Sequence, residues 1–147
     1  MRYLVTGGAG FIGSHLVDRL LSRGDHVIVV DDFSTGNLAN LPMDHPELEI
    51  YRKAIHQIDK TNIDHIDVVY HLAALTRPQQ SVYYPVKFDH VNVNGTVKML
   101  DWAWRHGVKK FIFASSAAVY GEQGEYPTHE FAIPNPMTPY GLQKYIG

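Results

Sequence analysis

Short apolar runs and one helical pattern alternate along the first third of the chain. Residues 3–5 form an apolar run that ends in glycines, and the apolar positions of 11–23 then recur at helical spacing up to the next glycine. A second apolar run, 26–30, leads directly into Asp31 and Asp32. Strand, helix and strand within about 30 residues are typical of a parallel crossover.

The rest of the pattern predicts three further strands and a long helix. Residues 48–52, 67–72 and 110–114 are apolar runs of strand length, and apolar residues of 85–106 fall near one helix face. Near-continuous valine and isoleucine in 26–30 indicates a strand buried on both faces. We therefore expect an α/β fold, a doubly wound parallel sheet of the Rossmann type, with residues 1–147 forming one domain.

Composition and charge exclude several classes of protein. The chain has 45% hydrophobic residues and a formal net charge of -2 without a long run of one sign, so neither nucleic acid nor an anionic membrane is an expected partner. There is no cysteine, and the nine histidines show no metal-ligand spacing, so we expect no metal. No signal pattern and no apolar stretch of about 18 residues is present, which favours a cytoplasmic protein.

Ligands of open parallel sheets bind beyond the carboxyl ends of the strands, and a glycine motif lies at the first such end. In TGGAGFIG, Gly7 permits a tight turn, Gly10 lets backbone approach a pyrophosphate, and Gly13 allows close packing of helix and strand. Glycines also occur in tight turns that bind no ligand. Here the motif lies between a predicted strand and helix, and Asp31 follows the second strand at about the distance that ribose recognition requires, so a dinucleotide site is predicted.

The two carboxylates after the second strand predict which dinucleotide binds. Asp31 is the expected ligand of the adenosine ribose, and Asp32 adds negative charge where a 2′-phosphate would lie. NAD is therefore favoured over NADP. The alternative is that the pair only begins a turn.

Four motifs in order carry a resemblance to a known family. The glycine motif, HLAAL, SSAAVYGE and PYGLQK together resemble the extended short-chain dehydrogenase/reductase family. Within it, the chain is most similar to the nucleotide-sugar 4-epimerases of the UDP-glucose (UDP-galactose) 4-epimerase type. The resemblance covers all 147 residues and implies an NAD-dependent enzyme that acts on a nucleotide-sugar, with a UDP-hexose as the expected substrate.

The resemblance also implies roles for individual residues. The catalytic residues would be Ser116, Tyr140 and Lys144, and the substrate contacts Ser115, Ser116 and Tyr140. The residues implied in cofactor binding are Gly7, Gly10, Phe11, Ile12, Gly13, Asp31, Asp32, Ser34, Thr35, Leu72, Ala73, Ala74, Thr76, Asn92, Tyr140 and Lys144. For Ser115, capping of backbone is an equally good interpretation, and the loop residues Arg77, Gln79 and Gln80 are interpreted as solvated.

The chain departs from its relatives at two places. Ala54 and Ile55 stand where relatives often place an acidic residue and an apolar one against adenine, so that contact must come from elsewhere. Ala117 and Ala118 stand where the dehydratases of the family carry Asp and Glu for water loss, which disfavours a dehydratase. The run HLAALTRP speaks weakly against the decarboxylases.

The expected mechanism uses Tyr140 as a base. Free tyrosine has a pKa of about 10, and making a phenolate available near pH 7 takes roughly 4 kcal/mol. One cation at about 4 Å supplies about that much at an effective dielectric near 20. Thr138 and Pro139 suit a helix start, which would place Tyr140 and Lys144 one turn apart on one face. An ordinary surface helix is the alternative.

Relatives continue well beyond the catalytic lysine, so the resemblance implies that residues 1–147 are the N-terminal part of a longer protein without its substrate domain. Full-length relatives often dimerise through the long helix and the catalytic helix, and a homodimer is expected. Two other functions stay open. One is another enzyme of the superfamily, such as a nucleotide-sugar reductase, dehydratase or decarboxylase; the other is a catalytically silent NAD-binding fragment.

Overall fold

The computed structural model describes residues 1–147. The five strands are β1 (Arg2–Thr6), β2 (His26–Asp31), β3 (Leu48–Arg52), β4 (Val68–His71) and β5 (Lys110–Phe113). The helices are α1 (Phe11–Leu21), α2 (Pro78–Tyr83), α3 (Pro85–Asp89), a π-helical segment (His90–Asn94), α4 (Gly95–Arg105) and α5 (Pro139–Ile146). Short 3-10 turns lie at Leu38–Asn40, Ile55–Lys60 and Ala117–Val119.

All five strands pair in parallel in the order β3-β2-β1-β4-β5. Thr6 at the end of β1 lies opposite Val30 of β2 and His71 of β4, so the carboxyl ends of the three central strands meet at one edge. The sheet has flanking helices, and the predicted fold class is confirmed. The third strand, β3, has the predicted bounds.

The central strands are covered on both faces. Consecutive residues of a strand point to opposite faces, and Val27 to Val30 are all buried. One face packs with Val17, Leu20 and Leu21 of α1 in a cluster that also contains Val5 and Val29. Burial on both faces explains why β2 is a continuous apolar run rather than an alternating one.

The chain divides into two compact units. Met1–Ala73 and Val97–Ala114 form the first, which holds the whole sheet and α1. Ala74–Thr96 and Ser115–Gly147 form the second, which holds α2, α3, the π-helical segment and α5. None of the helices combines the length and apolar character needed to cross a membrane.

The sequence predicts a solvated loop at Arg77, Gln79 and Gln80; the side chains are exposed, but the loop prediction is wrong for Gln79 and Gln80, which are helical. Arg77 is the N-cap of α2, Pro78 takes the first helical position, and Gln79 and Gln80 lie within the helix with exposed side chains. A short polar stretch beginning with proline has no apolar periodicity of its own. Ser81 is the buried residue of this helix, and nothing in the sequence marks it as buried.

The predicted long helix is present as α3, the π-helical segment and α4, and it is apolar on two sides. The apolar row that predicted it includes Val86, Val97, Leu100 and Trp104, and these side chains are exposed. The buried positions of the same helical stretch are Phe88, Asn92, Gly95, Thr96, Met99, Trp102 and Ala103. The periodicity therefore predicts the helix, but the apolar row it identifies is not the face of the helix that is buried in this structure.

We expect Gly13→Ala to destabilise the protein. A Cβ at Gly13 would overlap the Gly7 carbonyl oxygen and lie 2.7 Å from the Gly8 Cα, and both are backbone atoms. Overpacking of this kind costs up to about 3 kcal/mol, which outweighs the roughly 1 kcal/mol that alanine gains over glycine in a helix. Urea unfolding of the intact protein measures the difference.

The matched control is Gly124→Ala, because a Cβ there meets nothing within 4 Å. Its unfolding midpoint should equal that of the wild type. Equal midpoints for Gly13→Ala and Gly124→Ala would contradict the close approach at Gly13.

Candidate functional site

The glycine loop after β1 packs backbone against backbone in the first unit. Gly7 has a φ of +69°, and a Cβ there would lie 2.8 Å from the Ala73 nitrogen. The Gly7 N–H donates to the Val30 carbonyl at 2.9 Å. A Cβ at Gly10 would meet only the Gly7 oxygen, at 3.3 Å, so the space outside the loop at Gly10 is open to a ligand.

The amino terminus of α1 is available to an anion. Its N-cap, Gly10, contributes no side-chain hydrogen bond, and the first intrahelical bond is that from Ser14 to the Gly10 carbonyl. Phe11 and Ile12 are 80% and 69% exposed although both are large and apolar. Unpaired amides and the helix dipole favour negative charge at such a terminus. The loop and this helix start therefore fit the diphosphate of a dinucleotide.

Asp31 at the end of β2 holds the glycine loop in place. Its carboxylate is buried, and its two oxygens accept the Ala9 N–H at 3.0 Å and the Phe33 N–H at 2.8 Å. Each oxygen retains a lone pair that a ribose hydroxyl could use. The bond from Phe33 begins a turn, as the alternative interpretation of Asp31 held. The bond from Ala9 depends on the loop geometry and was not predicted from the sequence.

Asp32, Ser34 and Thr35 lie on the exposed surface after β2. Asp32 Oδ1 accepts the Ser34 N–H at 2.8 Å, so this residue does begin a turn, as the alternative interpretation held. Thr35 also lines an open hollow of about 400 Å³ beside Gly10 and Phe11. The predicted ribose segment and the predicted diphosphate loop thus border the same hollow.

A buried polar pair joins the ends of β1 and β4. Thr6 Oγ1 lies 2.8 Å from His71 Nδ1 and accepts the Ala73 N–H at 3.2 Å. This holds Leu72 and Ala73, two predicted cofactor contacts, beside Gly7. Thr6 and His71 were not singled out from the sequence, although a polar residue at the end of an apolar run was a usable signal.

The end of β3 lacks a carboxylate, as the sequence indicated. Ala54 is the N-cap of the Ile55–Lys60 turn, and the Ile55 side chain is buried. Nearby in the same unit, the Arg52 guanidinium lies 5.5 Å from the centre of the Phe33 ring. Phe33 has a φ of 58°, in the left-handed region, where a non-glycine residue is uncommon.

In the second unit, α5 presents the predicted tyrosine and lysine. Thr138 Oγ1 accepts the Gly141 N–H at 3.1 Å as the N-cap, and Pro139 takes the first helical position, as predicted. Tyr140 and Lys144 lie one turn apart, and both are buried. Burial lowers the pKa of the Lys144 ammonium to about 8. An ordinary surface helix would not bury a lysine.

Side chains from elsewhere in the second unit anchor α5. Ser81 Oγ accepts the Tyr140 N–H at 3.0 Å, Asn92 donates to Gln143 Oε1 at 3.1 Å, and Ser115 donates to the Lys144 carbonyl at 2.9 Å. Of the two interpretations of Ser115, the anchoring of backbone is the one that these contacts favour. Ser81 and Gln143 were missed, because their partners are distant in sequence.

Asn92, in the π-helical segment, fixes the chain that follows β4. Its side-chain amide accepts the Leu75 N–H at 2.8 Å and donates to the Leu75 carbonyl at 3.0 Å. Thr96 donates to the Asn92 carbonyl at 2.6 Å. Asn92 thus supports the segment that contains Ala74 and Thr76, and Thr76 itself is exposed.

Ser116 caps the short turn after β5. Its Oγ accepts the Ala118 N–H at 3.2 Å, which leaves the hydroxyl proton to be donated elsewhere. Ala117 and Ala118 follow in that turn, and neither carries an acid or a base.

Comparison with known proteins places these features in a family. The sequence profile of the NAD dependent epimerase/dehydratase family matches residues 3–147. A putative UDP-glucose 4-epimerase of Methanocaldococcus jannaschii is 43% identical over 148 residues, which cover 98% of this chain and 48% of the relative. UDP-glucuronic acid decarboxylase 1 of Arabidopsis thaliana is 44% identical over 132 residues, 88% of this chain and 29% of the relative.

Solved structures show the same fold. The UDP-glucose 4-epimerase of Thermotoga maritima, solved with UDP-glucose, matches with a TM-score of 0.92 and 40% identity, over 99% of this chain and 48% of that one. The chain therefore spans about half the length of the epimerases it matches. Because the family profile matches nearly the whole sequence, the chain belongs to the NAD dependent epimerase/dehydratase family, whose cofactor is NAD.

Proposed function

We propose that this chain is the NAD-binding part of a nucleotide-sugar 4-epimerase, with UDP-glucose and UDP-galactose as its substrates. The observation that carries the proposal is the pair Tyr140 and Lys144, buried one turn apart on α5, with the lysine held at a lowered pKa. Perturbed ionisable groups concentrate at functional sites. The epimerases among the relatives support the choice of reaction.

In this proposal, bound NAD would supply reversible hydride transfer at C4 of the sugar, with removal from one face and return to the opposite face of the resulting ketone. Tyr140 accepts the proton of the C4 hydroxyl as the hydride leaves, and gives it back in the second half of the reaction. Ser116 donates its free hydroxyl proton to the reacting oxygen. No net oxidation results, so NAD is regenerated in each cycle.

Lys144 supplies the positive charge that stabilises the phenolate form of the base. With a pKa of about 8, its ammonium is mostly protonated at neutral pH. A charge in a buried position also acts with little screening by water. Lys144 can therefore stabilise the phenolate, although burial of its ammonium lowers the stability of the fold.

The glycine loop and Asp31 are proposed to bind the NAD. Gly10, Phe11, Ile12 and Gly13 would place backbone amides at the diphosphate. The remaining proposed contacts, in the segments after β2 and β4, are Asp31, Asp32, Ser34, Thr35, Leu72, Ala73, Ala74 and Thr76, with Asn92 as their support.

A UDP-glucuronate decarboxylase is the second candidate. It is favoured by the 44% identity to the Arabidopsis thaliana enzyme. Oxidation at C4 can also serve loss of a C5 carboxylate as CO₂, so the same Tyr140 and Lys144 would suit both reactions. Ala117 and Ala118 offer no acid or base for loss of water, which still disfavours a dehydratase.

We further propose that the intact protein is a homodimer. Val97, Leu100 and Trp104 form an exposed apolar row on α4, and Trp104 is 81% exposed. Apolar rows of this kind on helices mark interaction surfaces. Two copies of the row could cover each other in an isologous contact.

Tyr140→Phe should lower kcat for interconversion of UDP-glucose and UDP-galactose by about 10²- to 10⁴-fold, because the base is removed. KM should change little, since only the hydroxyl is lost. The measurement is chromatography of the two UDP-hexoses, with absorbance at the NADH wavelength followed in parallel and UDP-glucuronate tested as a second substrate.

The matched control is Tyr145→Phe on the same helix, where the tyrosine is exposed. Its kcat should be that of the wild type. A Tyr140→Phe variant with full activity would refute the assignment of the base. NADH released in proportion to product would identify a dehydrogenase instead, CO₂ from UDP-glucuronate a decarboxylase, and NAD binding without any turnover a silent module.

The buried lysine predicts a pH-dependent change in stability. The folded-state pKa of Lys144 is about 8 and its ordinary value is 10.5, so the folded state holds fewer protons than the unfolded state between these values. Wild-type stability should therefore rise with pH across this window. The stability advantage of Lys144→Met over the wild type should be largest below pH 8 and shrink toward pH 10.5.

Chemical denaturation at a series of pH values measures this difference in the intact protein. Lys144→Arg is the control: arginine keeps its charge throughout, so the variant should fall further below the wild type as pH rises. A Lys144→Met advantage that does not change with pH would argue against the lowered pKa.

Trp104→Glu should convert the proposed homodimer into a monomer, because it places a charge in the centre of the apolar row. Sedimentation equilibrium measures the association. Lys98→Glu, on another face of α4, is the control and should remain dimeric. A wild-type protein that is monomeric at all concentrations would refute the dimer, and a dimeric Trp104→Glu variant would refute this interface.

A further inference from the structure

Ser81 is a fully buried hydroxyl residue to which neither the motifs nor the comparisons assign a role. It lies on α2, its side chain is 0% exposed, and its Oγ has two partners. It donates to the Pro78 carbonyl at 2.5 Å and accepts the Tyr140 N–H at 3.0 Å. The second partner is the backbone of the proposed catalytic base, 59 residues away in the sequence.

The first turn of α5 needs this outside partner. The first amides of a helix have no acceptor within the helix. Pro139 has no N–H, and the N-cap Thr138 accepts the N–H of Gly141. Neither α5 nor its N-cap therefore provides an acceptor for the Tyr140 N–H, which is buried. Ser81 acts as a second cap, contributed by another helix.

Two hydrogen bonds fix the orientation of the Ser81 hydroxyl. Because its proton is committed to the Pro78 carbonyl, a lone pair of Oγ is directed at the Tyr140 N–H. α2 packs against α5, and loss of the acceptor would leave a buried amide unpaired. A small shift of the first turn of α5 would carry the Tyr140 side chain with it.

We propose that Ser81 is a positioning residue for the reaction: it holds the backbone of Tyr140 so that the phenol oxygen lies where the sugar hydroxyl binds. This inference rests on the proposed role of Tyr140 as the base. Displacement of a reacting group by about 1 Å can cost about 100-fold in rate. Ser81 is not among the residues proposed to contact NAD or the nucleotide-sugar, so its loss should lower the rate more than the binding of either.

The test is a series at position 81 in the intact protein. Ser81→Ala removes the acceptor, and Ser81→Cys replaces it with a weaker one on a slightly larger side chain. We expect kcat to fall about 10- to 100-fold in the alanine variant, with KM for UDP-hexose and affinity for NAD unchanged. The cysteine variant should be intermediate. A packing role would instead order the variants by volume.

Ser22→Ala is the matched control, because Ser22 also donates to the carbonyl three residues before it but is the exposed C-cap residue of α1. Its kcat should be unchanged. A Ser81→Ala variant that is fully folded and retains wild-type kcat would overturn the proposal.

Hydrogen exchange separates this inference from the proposed function. In Ser81→Ala the Tyr140 amide should exchange faster than in the wild type, whatever the enzyme's substrate. Unchanged protection of that amide would overturn the role of Ser81. Absence of UDP-hexose interconversion by the wild type, together with faster exchange in Ser81→Ala, would refute the proposed function while leaving the anchoring of Tyr140 in place.

Discussion

The close approach of backbone to backbone around Gly7 and Gly13 is the constraint on which the first unit depends. No side chain fits between Gly7 and Ala73, or between Gly13 and Gly7. The loop can therefore begin α1 directly beside the ends of β1 and β4. The Asp31 carboxylate completes this arrangement by accepting the Ala9 N–H, so the residue proposed to bind the ribose also positions the loop proposed to bind the diphosphate.

In the second unit, the main constraint is the position of the first turn of α5. Gly141, in the first turn of α5, lowers the helix propensity of that turn. The position of the helix is set by polar side chains that reach it from three other segments: Ser81, Asn92 and Ser115. These bonds are buried or partly buried, where an unpaired partner is costly. The position of α5 is therefore fixed by hydrogen bonds as well as by apolar packing.

The sequence predicted the central strands β1, β2 and β4 because they are apolar runs that are largely buried, a signal that is local and strong. β3 and the Thr138 start of α5 were predicted residue by residue for the same reason: runs, caps and prolines act over a few positions. The candidate residues of the glycine loop and of α5 followed from motifs.

What the sequence did not reveal depends on distant partners. α2 begins with proline and two glutamines and has no apolar period, so its sequence resembles that of a loop. The structure instead shows a helix in which Ser81 is buried against α5. The apolar row on α4 predicted a helix, but whether such a row is covered depends on what lies against it. The roles of Ser81 and Gln143 could not be inferred at all, because each bonds across more than 50 residues.

Burial of Lys144 has a consequence for how this chain can change over time. A buried ammonium with a lowered pKa weakens the fold at neutral pH, and a methionine of similar length would remove that burden. In the proposed mechanism, the charge of Lys144 is needed for the reaction. In a lineage that duplicated this gene and abandoned its reaction, mutation pressure and selection for folding would both act against Lys144, while the glycine loop and the buried strands would persist. A descendant of this kind would keep the architecture of a nucleotide-binding enzyme and lose this lysine early.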